Sequence, residues 1–163
     1  MRFEYTDSMF KKGTLLIPSG PSHDPNRKHL HVICNEARED GSHLLVSISS
    51  WRALGDPTCR LKKHEHRFLD RESFVEYRMS RIESGDSLRN GVSLKKFVPH
   101  DDMNGQTFLR IVNGICRSPI TPPEVRIYWG CETQNSCATP SATSDNTDET
   151  LEKLADRDAP ANH

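Results

Sequence analysis

One stretch of the chain, residues 56–68, concentrates side chains that can carry out acid–base and phosphate chemistry. It reads Asp56-Pro57-Thr58-Cys59-Arg60-Leu61-Lys62-Lys63-His64-Glu65-His66-Arg67-Phe68. Histidine titrates near neutral pH, and arginine and lysine bind phosphate oxygens. His64 and His66 are therefore candidate acid–base residues. The candidate nucleic-acid contacts in this stretch are Arg60, Lys62, Lys63 and Arg67.

The same stretch also has simpler explanations. A solvated basic turn accounts equally well for its histidines and cations. Asp56 precedes a proline, which is typical of a turn-forming residue. Cys59 next to Arg60 suggests an activated thiol, but a small half-buried residue is the simpler interpretation. Residues 73–78 alternate like a half-buried strand and would hold this loop in place.

Two His-x-His pairs, His29/His31 and His64/His66, raise the question of a metal site. Residues i and i+2 of a strand share a face, so each pair can present two imidazoles to one ion. However, the sequence contains neither HExxH nor CxxC, and eight histidines in a polar chain produce such pairs by chance. We predict neither a metal nor a cofactor.

Composition divides the 163-residue chain into a domain and a tail. The hydrophobic share is 34% and the mean hydropathy is -0.71, both low for a chain that is globular throughout. The segment 131–163 has seven acidic and two basic residues, a balance of -5 within a total of -1, which leaves +4 for residues 1–130. We predict a mildly basic domain over 1–130, compatible with nucleic-acid binding, and a disordered acidic tail over 131–163.

The lack of targeting signals and the pattern of cysteines bear on the cellular compartment of the protein. The sequence has no run of 18 apolar residues and no apolar signal-peptide core, so we predict no membrane association. Its five cysteines are odd in number and irregularly spaced. This argues against a disulfide framework or a zinc ribbon and favours a reducing cytoplasm.

Hydrophobic patterning predicts a mainly β domain. Residues 13–18 are a short apolar run closed by proline, 28–34 alternate, and 43–50 form a third strand-like segment. Polar turns join the three segments, as in an antiparallel sheet. The segment 92–98 is predicted as a further strand or an irregular edge, and 125–129 as a last short strand.

One helix is predicted over residues 101–117. Its apolar stripe has helical spacing, and Asp101-Asp102 are placed to cap its first turn. It should end near Ser118-Pro119, while residues 82–91 show no clear periodicity. The stripe consists of Phe108, Ile111, Val112 and Ile115.

Several short motifs within about residues 10–120 carry a family resemblance. Three are strand-like: Gly13-Thr14-Leu15-Leu16, then Leu30-His31-Val32-Ile33-Cys34-Asn35 after basic residues, then Leu44-Leu45-Val46-Ser47-Ile48-Ser49-Ser50. A fourth, D-x-x-C-x-L-x-x-x-E-H-x-F-x-x-x-x-S-x-V-x-Y, begins at Asp56. Together they resemble the MazF/PemK (Kid) toxins and small uncharacterised PemK-like proteins. Two departures are Arg27-Lys28-His29 in place of the family's R-P pair and Thr14 in place of its aspartate.

The resemblance implies a small SH3-like antiparallel barrel with a C-terminal helix. It also implies a homodimer restrained by an antitoxin, with metal-independent cleavage of single-stranded RNA. By position, Arg27 or Lys28 corresponds to the family's basic residue at the second strand, and Ser49 or Ser50 to the hydroxyl that ends the third.

We therefore predict a toxin-like endoribonuclease in the cytoplasm. There are two alternatives, a non-catalytic module of the same fold that binds nucleic acid or protein, and a metal-binding protein built on the paired histidines. The predicted catalytic residues are His64, His66, Arg27 and Ser49, with Lys28 added to the candidate nucleic-acid contacts.

Overall fold

The computed structural model describes residues 12–18 and 27–131. Predictions for residues 1–11, 19–26 and 132–163, including nearly all of the acidic tail, lie outside the described residues. The described part contains the strands β1 (Thr14–Pro18), β2 (Lys28–Ile33), β3 (Ser42–Ser50), β4 (Arg60–Leu61), β5 (Ser73–Ser84) and β6 (Val98–His100). Its helices are α1 (Gly85–Ser93), α2 (Gly105–Arg117) and α3 (Pro123–Trp129).

The strands form one curled antiparallel sheet in the order β4-β5-β3-β2-β1-β6. The predicted antiparallel sheet with a helix packed on it is thus confirmed. One face carries Leu30, Val32 and Val46 and packs against α2 and α3 as the main core. These alternate residues of β2 and β3 are buried because the strand period places them on one side.

Among the described residues, the opposite face of the sheet, here called the second face, is covered at one end only. Leu15, Ile33 and Leu45 pack there with Leu88 of α1 and with the half-buried Phe97. The rest of the second face carries polar side chains, and it is this part that forms the candidate site.

The α2 helix confirms the predicted apolar stripe and its end near Ser118. Its start is later than predicted, because Asn104 rather than the Asp101-Asp102 pair caps it by accepting a hydrogen bond from the N–H of Gln106. Asp101 and Met103 stay outside the helix because their backbone groups bond elsewhere. The Met103 N–H donates to the Lys12 carbonyl at 2.8 Å.

Residues 125–129 form part of α3, so the predicted last strand is wrong. Pro123 occupies the first turn, where its missing N–H costs nothing, and Gly130 ends the helix with a left-handed φ of 79°. Val125 is buried in the main core. The Tyr128 hydroxyl accepts a hydrogen bond from Asn35 at 3.1 Å, which fixes α3 against the β2–β3 turn.

The segment between residues 78 and 98 also differs from prediction. β5 continues to Ser84, and the Ser84 hydroxyl then caps α1 by accepting from the N–H of Ser87 at 3.1 Å. The predicted strand or edge at 92–98 divides between the end of α1 and the start of β6. Local patterning missed α1 because Leu88 is the only large side chain that it buries.

Two of the five cysteines form a disulfide, which corrects the argument drawn from their number. Cys116 in α2 bonds to Cys131, with Cα atoms 5.3 Å apart. Cys131, the first residue of the predicted tail, is buried, so the packed domain includes it. Cys34 and Cys59 are buried free thiols. In the described residues, no helix is long and apolar enough to cross a membrane.

Candidate functional site

Polar side chains form two adjacent rows across the uncovered part of the second face. His31 lies opposite Ser47 and Ser47 opposite Glu76, which makes the first row. Ser49 lies opposite Phe74, and the β2–β3 register, continued by one residue, brings His29 beside Ser49. Directly opposed residues of antiparallel strands point to the same side, so two imidazoles, two hydroxyls and a carboxylate share one surface.

One end of these rows opens into a groove of about 610 Å³, here called the basic groove. Its cations are Arg27, Lys28, Arg52 and Arg71. It is also lined by His29 and Ser49 from the polar rows and by the aromatic rings of Trp51 and Phe68. Cations beside aromatic rings are typical of surfaces that bind single-stranded nucleic acid, because phosphates and base faces are both accommodated.

A carboxylate below the groove orients one of its cations. The Glu76 side chain is only 5% exposed and accepts a hydrogen bond from the Arg52 guanidinium at 2.7 Å. Arg52 itself is 58% exposed. The carboxylate thus holds one edge of the guanidinium, and the other edge is left towards solvent and the groove.

The two histidines of β2 are both held in the neutral form. Burial, followed by the nearby Arg27 charge, lowers the pKa of His29. Burial is also the main cause that lowers the pKa of His31 to about 4, and the charge of Arg81 adds to it. Neutral His29 lies next to Ser49 in the groove and can accept a proton at neutral pH.

The pKa of His31 predicts a loss of stability in acid. Its folded-state pKa of about 4 lies below the ordinary 6.5, so the unfolded chain binds the proton more tightly. The associated stability is complete above about pH 6.5 and is lost as the pH falls towards 4, by about 3 kcal/mol in all. Urea unfolding across this range should show the loss. In the His31→Gln variant, which cannot titrate here, the loss should be smaller by that amount.

The loop that contains the second histidine pair has a structural role. His66 is buried, and its Nε2–H donates to the Asp101 carbonyl at 2.6 Å while its Nδ1 accepts from the Phe68 N–H at 3.1 Å. The Asp101 carbonyl also accepts from the Thr14 hydroxyl at 2.7 Å. Both ring nitrogens of His66 are therefore engaged with the backbone, and the residue ties the loop to β1 and to the end of β6.

The structure does not bring His64 and the loop cations into the basic groove. His64 is exposed, with a φ of 70°, and does not line the groove. Lys62 and Lys63 are exposed on the same loop, and Arg67 lies 3.9 Å from the Asp101 carboxylate. Arg60 stacks on Trp51 at 4.0 Å and does not line the groove. Of the predicted site residues, the structure places Arg27, Lys28 and Ser49 in the groove.

Substitutions of the two loop histidines should have different effects on stability. His66→Ala removes two hydrogen bonds from a buried site and leaves their partners unpaired, so we expect a loss of about 2 kcal/mol. His64→Ala alters an exposed side chain and should change the free energy of unfolding by less than about 0.5 kcal/mol. Urea unfolding of the two variants checks this. Equal stabilities would contradict the structural role of His66.

The remaining candidates of residues 56–77 are structural too. Asp56 caps a short 3-10 turn and accepts a hydrogen bond from the buried Ser118 hydroxyl at the end of α2. Burial raises the pKa of the Cys59 thiol, which argues against an activated nucleophile. Tyr77 is fully buried, and its hydroxyl donates to the Ile111 carbonyl at 2.7 Å.

Sequence reasoning missed Arg52 and Glu76, and it considered His29 only as half of a possible metal-binding pair. Arg52 and Glu76 are the pair that no local pattern joins. The two are separated along the chain and meet only because β3 and β5 are neighbours. The available signal was a carboxylate at an inward position of an alternating strand. Within the described residues, no group of three or more histidine, cysteine, aspartate or glutamate side chains is placed to hold a metal ion.

No protein-family model matches the chain, and the comparisons found neither a curated protein nor a solved structure similar to it.

Proposed function

We propose that the protein is a metal-independent endoribonuclease that cleaves single-stranded RNA in the basic groove. The observation that carries the proposal is the placement of neutral His29 beside Ser49, among Arg27, Lys28 and Arg52, in one open groove. A proton acceptor, a hydroxyl and several cations are the groups that phosphodiester cleavage by an internal 2′-hydroxyl requires.

In the proposed reaction, His29 takes the proton of the ribose 2′-hydroxyl. The resulting oxygen attacks the adjacent phosphorus, and the bond to the 5′-oxygen breaks. Arg27 and Arg52 neutralise the charge that develops on the phosphate, while the Ser49 hydroxyl donates to one of its oxygens. The leaving 5′-oxygen takes a proton from water, since the groove is open, and the imidazolium returns its proton to solvent. The products are a 2′,3′-cyclic phosphate and a 5′-hydroxyl.

The resemblance to the MazF/PemK toxins extends this proposal. It adds an SH3-like barrel as the finer description of the curled sheet, a homodimer, and an antitoxin that restrains the activity. The proposed cytoplasmic location comes from the odd, irregularly spaced cysteines rather than from the resemblance. Thiol buffers in the cytoplasm keep most disulfides reduced. A cytoplasmic location therefore requires that Cys116 and Cys131 are free thiols in the cell.

The proposal is tested by incubating the purified chain with single-stranded RNA in the presence of a chelator. We expect cleavage with a 5′-hydroxyl on one product, and no cleavage of DNA of the same sequence, which lacks the nucleophile. RNA binding without cleavage would instead identify a non-catalytic binding module. Activity that the chelator abolishes would favour the metal-binding alternative.

The matched variants for this test are Arg27→Ala in the groove and Arg67→Ala in the loop. Removing one phosphate contact should weaken RNA binding and reduce the slope of affinity against salt by about one counterion. Arg67→Ala should leave both unchanged, because Arg67 does not line the groove. Equal losses in the two variants would place RNA on the loop instead.

A further inference from the structure

A second cavity continues the basic groove across the second face. It has a volume of about 420 Å³ and shares His29, Ser49 and Arg52 with the groove. Cavities of this size accept small organic groups such as a nucleobase. An RNA chain in the groove therefore lies next to a space that can receive one of its bases.

An irregularity in β5 forms the wall of this cavity. Ser47 pairs with Glu76, and Leu45 pairs with Arg81. Residues 77–80 of β5 therefore lie opposite a single residue of β3, Val46, and form a bulge. Such bulges redirect side chains and are frequent beside functional sites. Here the bulge places Arg78 and Met79 at the cavity, both largely exposed.

The cavity presents hydrogen-bond donors on one side. The Arg78 guanidinium lies 3.6 Å from the Glu76 carboxylate, which is an ionic contact beyond normal hydrogen-bond length. Its side chain is 63% exposed, so its forked N–H groups can bond to a ligand. Ser80, also in the wall, is buried, and its hydroxyl makes no hydrogen bond within the described residues.

The same cavity presents acceptors. The Nδ1–H of His31 donates to the His29 carbonyl at 3.1 Å, which leaves the Nε2 lone pair of the neutral ring as an acceptor. Glu76 contributes carboxylate oxygens. The lining carries three arginines, Arg52, Arg78 and Arg81, and one carboxylate, Glu76. Arg52 is paired with Glu76 and Arg81 lies 3.2 Å from Glu83, so Arg78 leaves one positive charge in excess. One excess cation set among donors and acceptors fits the polar edge of a base, which both accepts and donates hydrogen bonds.

We propose that this cavity binds one nucleobase of the RNA chain held in the basic groove, and that it selects guanine. This inference rests on the proposed function, because the groove must first hold RNA. The O6 and N7 acceptors of guanine match the fork of Arg78, the commonest specific arginine–base pairing. The N1–H and N2–H groups of guanine then face the acceptors Glu76 and His31. Adenine offers a donor where guanine has O6, and pyrimidines lack N7.

The test measures fluorescence anisotropy with short 2′-O-methyl oligouridylates that carry guanine, adenine, cytosine or uracil at the centre. The methyl group blocks the nucleophile, so binding is measured separately from cleavage. We expect the guanine probe to bind at least about fivefold more tightly than the others, the lower limit for one bidentate arginine–guanine pair. Arg78→Ala should bring the affinities for the four probes together. Arg117→Ala, an exposed arginine that lines neither cavity, should keep the guanine preference.

The outcomes separate this inference from the proposed function. Equal binding of all four probes, weakened by Arg27→Ala, would overturn the guanine site while leaving RNA binding in the groove intact. No binding of any probe would overturn both. A third outcome is displacement of the guanine probe by guanosine monophosphate at concentrations near the Kd of the probe. This result would show that the cavity binds a free nucleotide, and it would overturn the proposal that the cavity binds a base of an RNA chain.

Discussion

Substituting Gly114 with alanine should destabilise the protein by about 4 kcal/mol. Gly114 is buried in α2, directly under the ring of Tyr77. A Cβ at this position would lie 2.5 Å from Cζ of Tyr77 and closer still to its hydroxyl oxygen. Neither side can give way easily, because Tyr77 is fully buried in the sheet and Gly114 is fixed in a helix.

Two terms contribute to this loss. Overpacking a well-filled core typically costs about 1–3 kcal/mol. The tyrosine must also move, which breaks its 2.7 Å hydrogen bond to the Ile111 carbonyl and leaves buried polar groups unpaired, at about 1–3 kcal/mol more. The close approach of α2 to β5 therefore depends on the absence of a side chain at residue 114.

Urea unfolding of Gly114→Ala beside Gly105→Ala checks this prediction. Gly105 begins α2, and a Cβ there meets no atom within 4 Å. That variant should be neutral or slightly stabilising, since alanine favours a helix by up to about 1 kcal/mol over glycine. Tyr77→Phe should recover part of the loss when combined with Gly114→Ala, because it removes the nearest atom. If Gly114→Ala were as stable as Gly105→Ala, the packing of α2 described above would be wrong.

Substituting His29 with alanine should reduce the rate of RNA cleavage by about 10²–10⁴-fold, the usual contribution of a general base. The fold should survive, because His29 is only half-buried. In the proposed reaction, the neutral ring of His29 is the form that accepts the proton. Burial and the charge of Arg27 lower its pKa, so the rate should hold at neutral pH and decline only as the pH falls below the ordinary histidine range.

Two further variants test this assignment. His64→Ala, an exposed histidine outside the groove, should leave the rate unchanged. Arg27→Ala removes a charge that lowers the pKa of His29, so the acidic limb of its pH–rate profile should move to higher pH. Full cleavage by His29→Ala would transfer the role of base to another group. An unshifted pH–rate profile in Arg27→Ala would show that the charge of Arg27 does not influence the pKa of His29.

The predicted site residues illustrate how far local reasoning reaches. The concentration of His64, Glu65 and His66 with basic residues suggested a catalytic loop. Glu65 instead accepts from the Lys62 N–H at 2.7 Å and pairs with Arg110 of α2, and His66 bonds to the backbone at Asp101. The contacts with Arg110 and Asp101 join segments distant in the chain, and no spacing within residues 56–68 reveals them.

The positions that the resemblance indicated lie in the groove, unlike the loop residues, because they belong to strands whose periodicity and pairing fix their placement. Arg27 and Lys28 at the start of β2 and Ser49 near the end of β3 meet once the two strands pair in antiparallel register. That pairing follows from a short polar connection between two alternating segments, which is a local property. The partnership of Arg52 with Glu76 needed the further pairing of β3 with β5.

The sequence by itself determined β2, β3, the first half of β5 and the apolar stripe of α2, because a period of two or of 3.6 residues records which side of an element is buried. It determined β1 as a short apolar run closed by Pro18. Only the tertiary structure decided the rest. Residues 123–129 became helical because Pro123, Gly130 and the burial of Val125 outweigh their strand-like composition. Cys116 met Cys131 because α3 folds back on α2. The polar rows of the second face exist because α1 covers only one end of the sheet, and the extent of that cover depends on packing between distant segments.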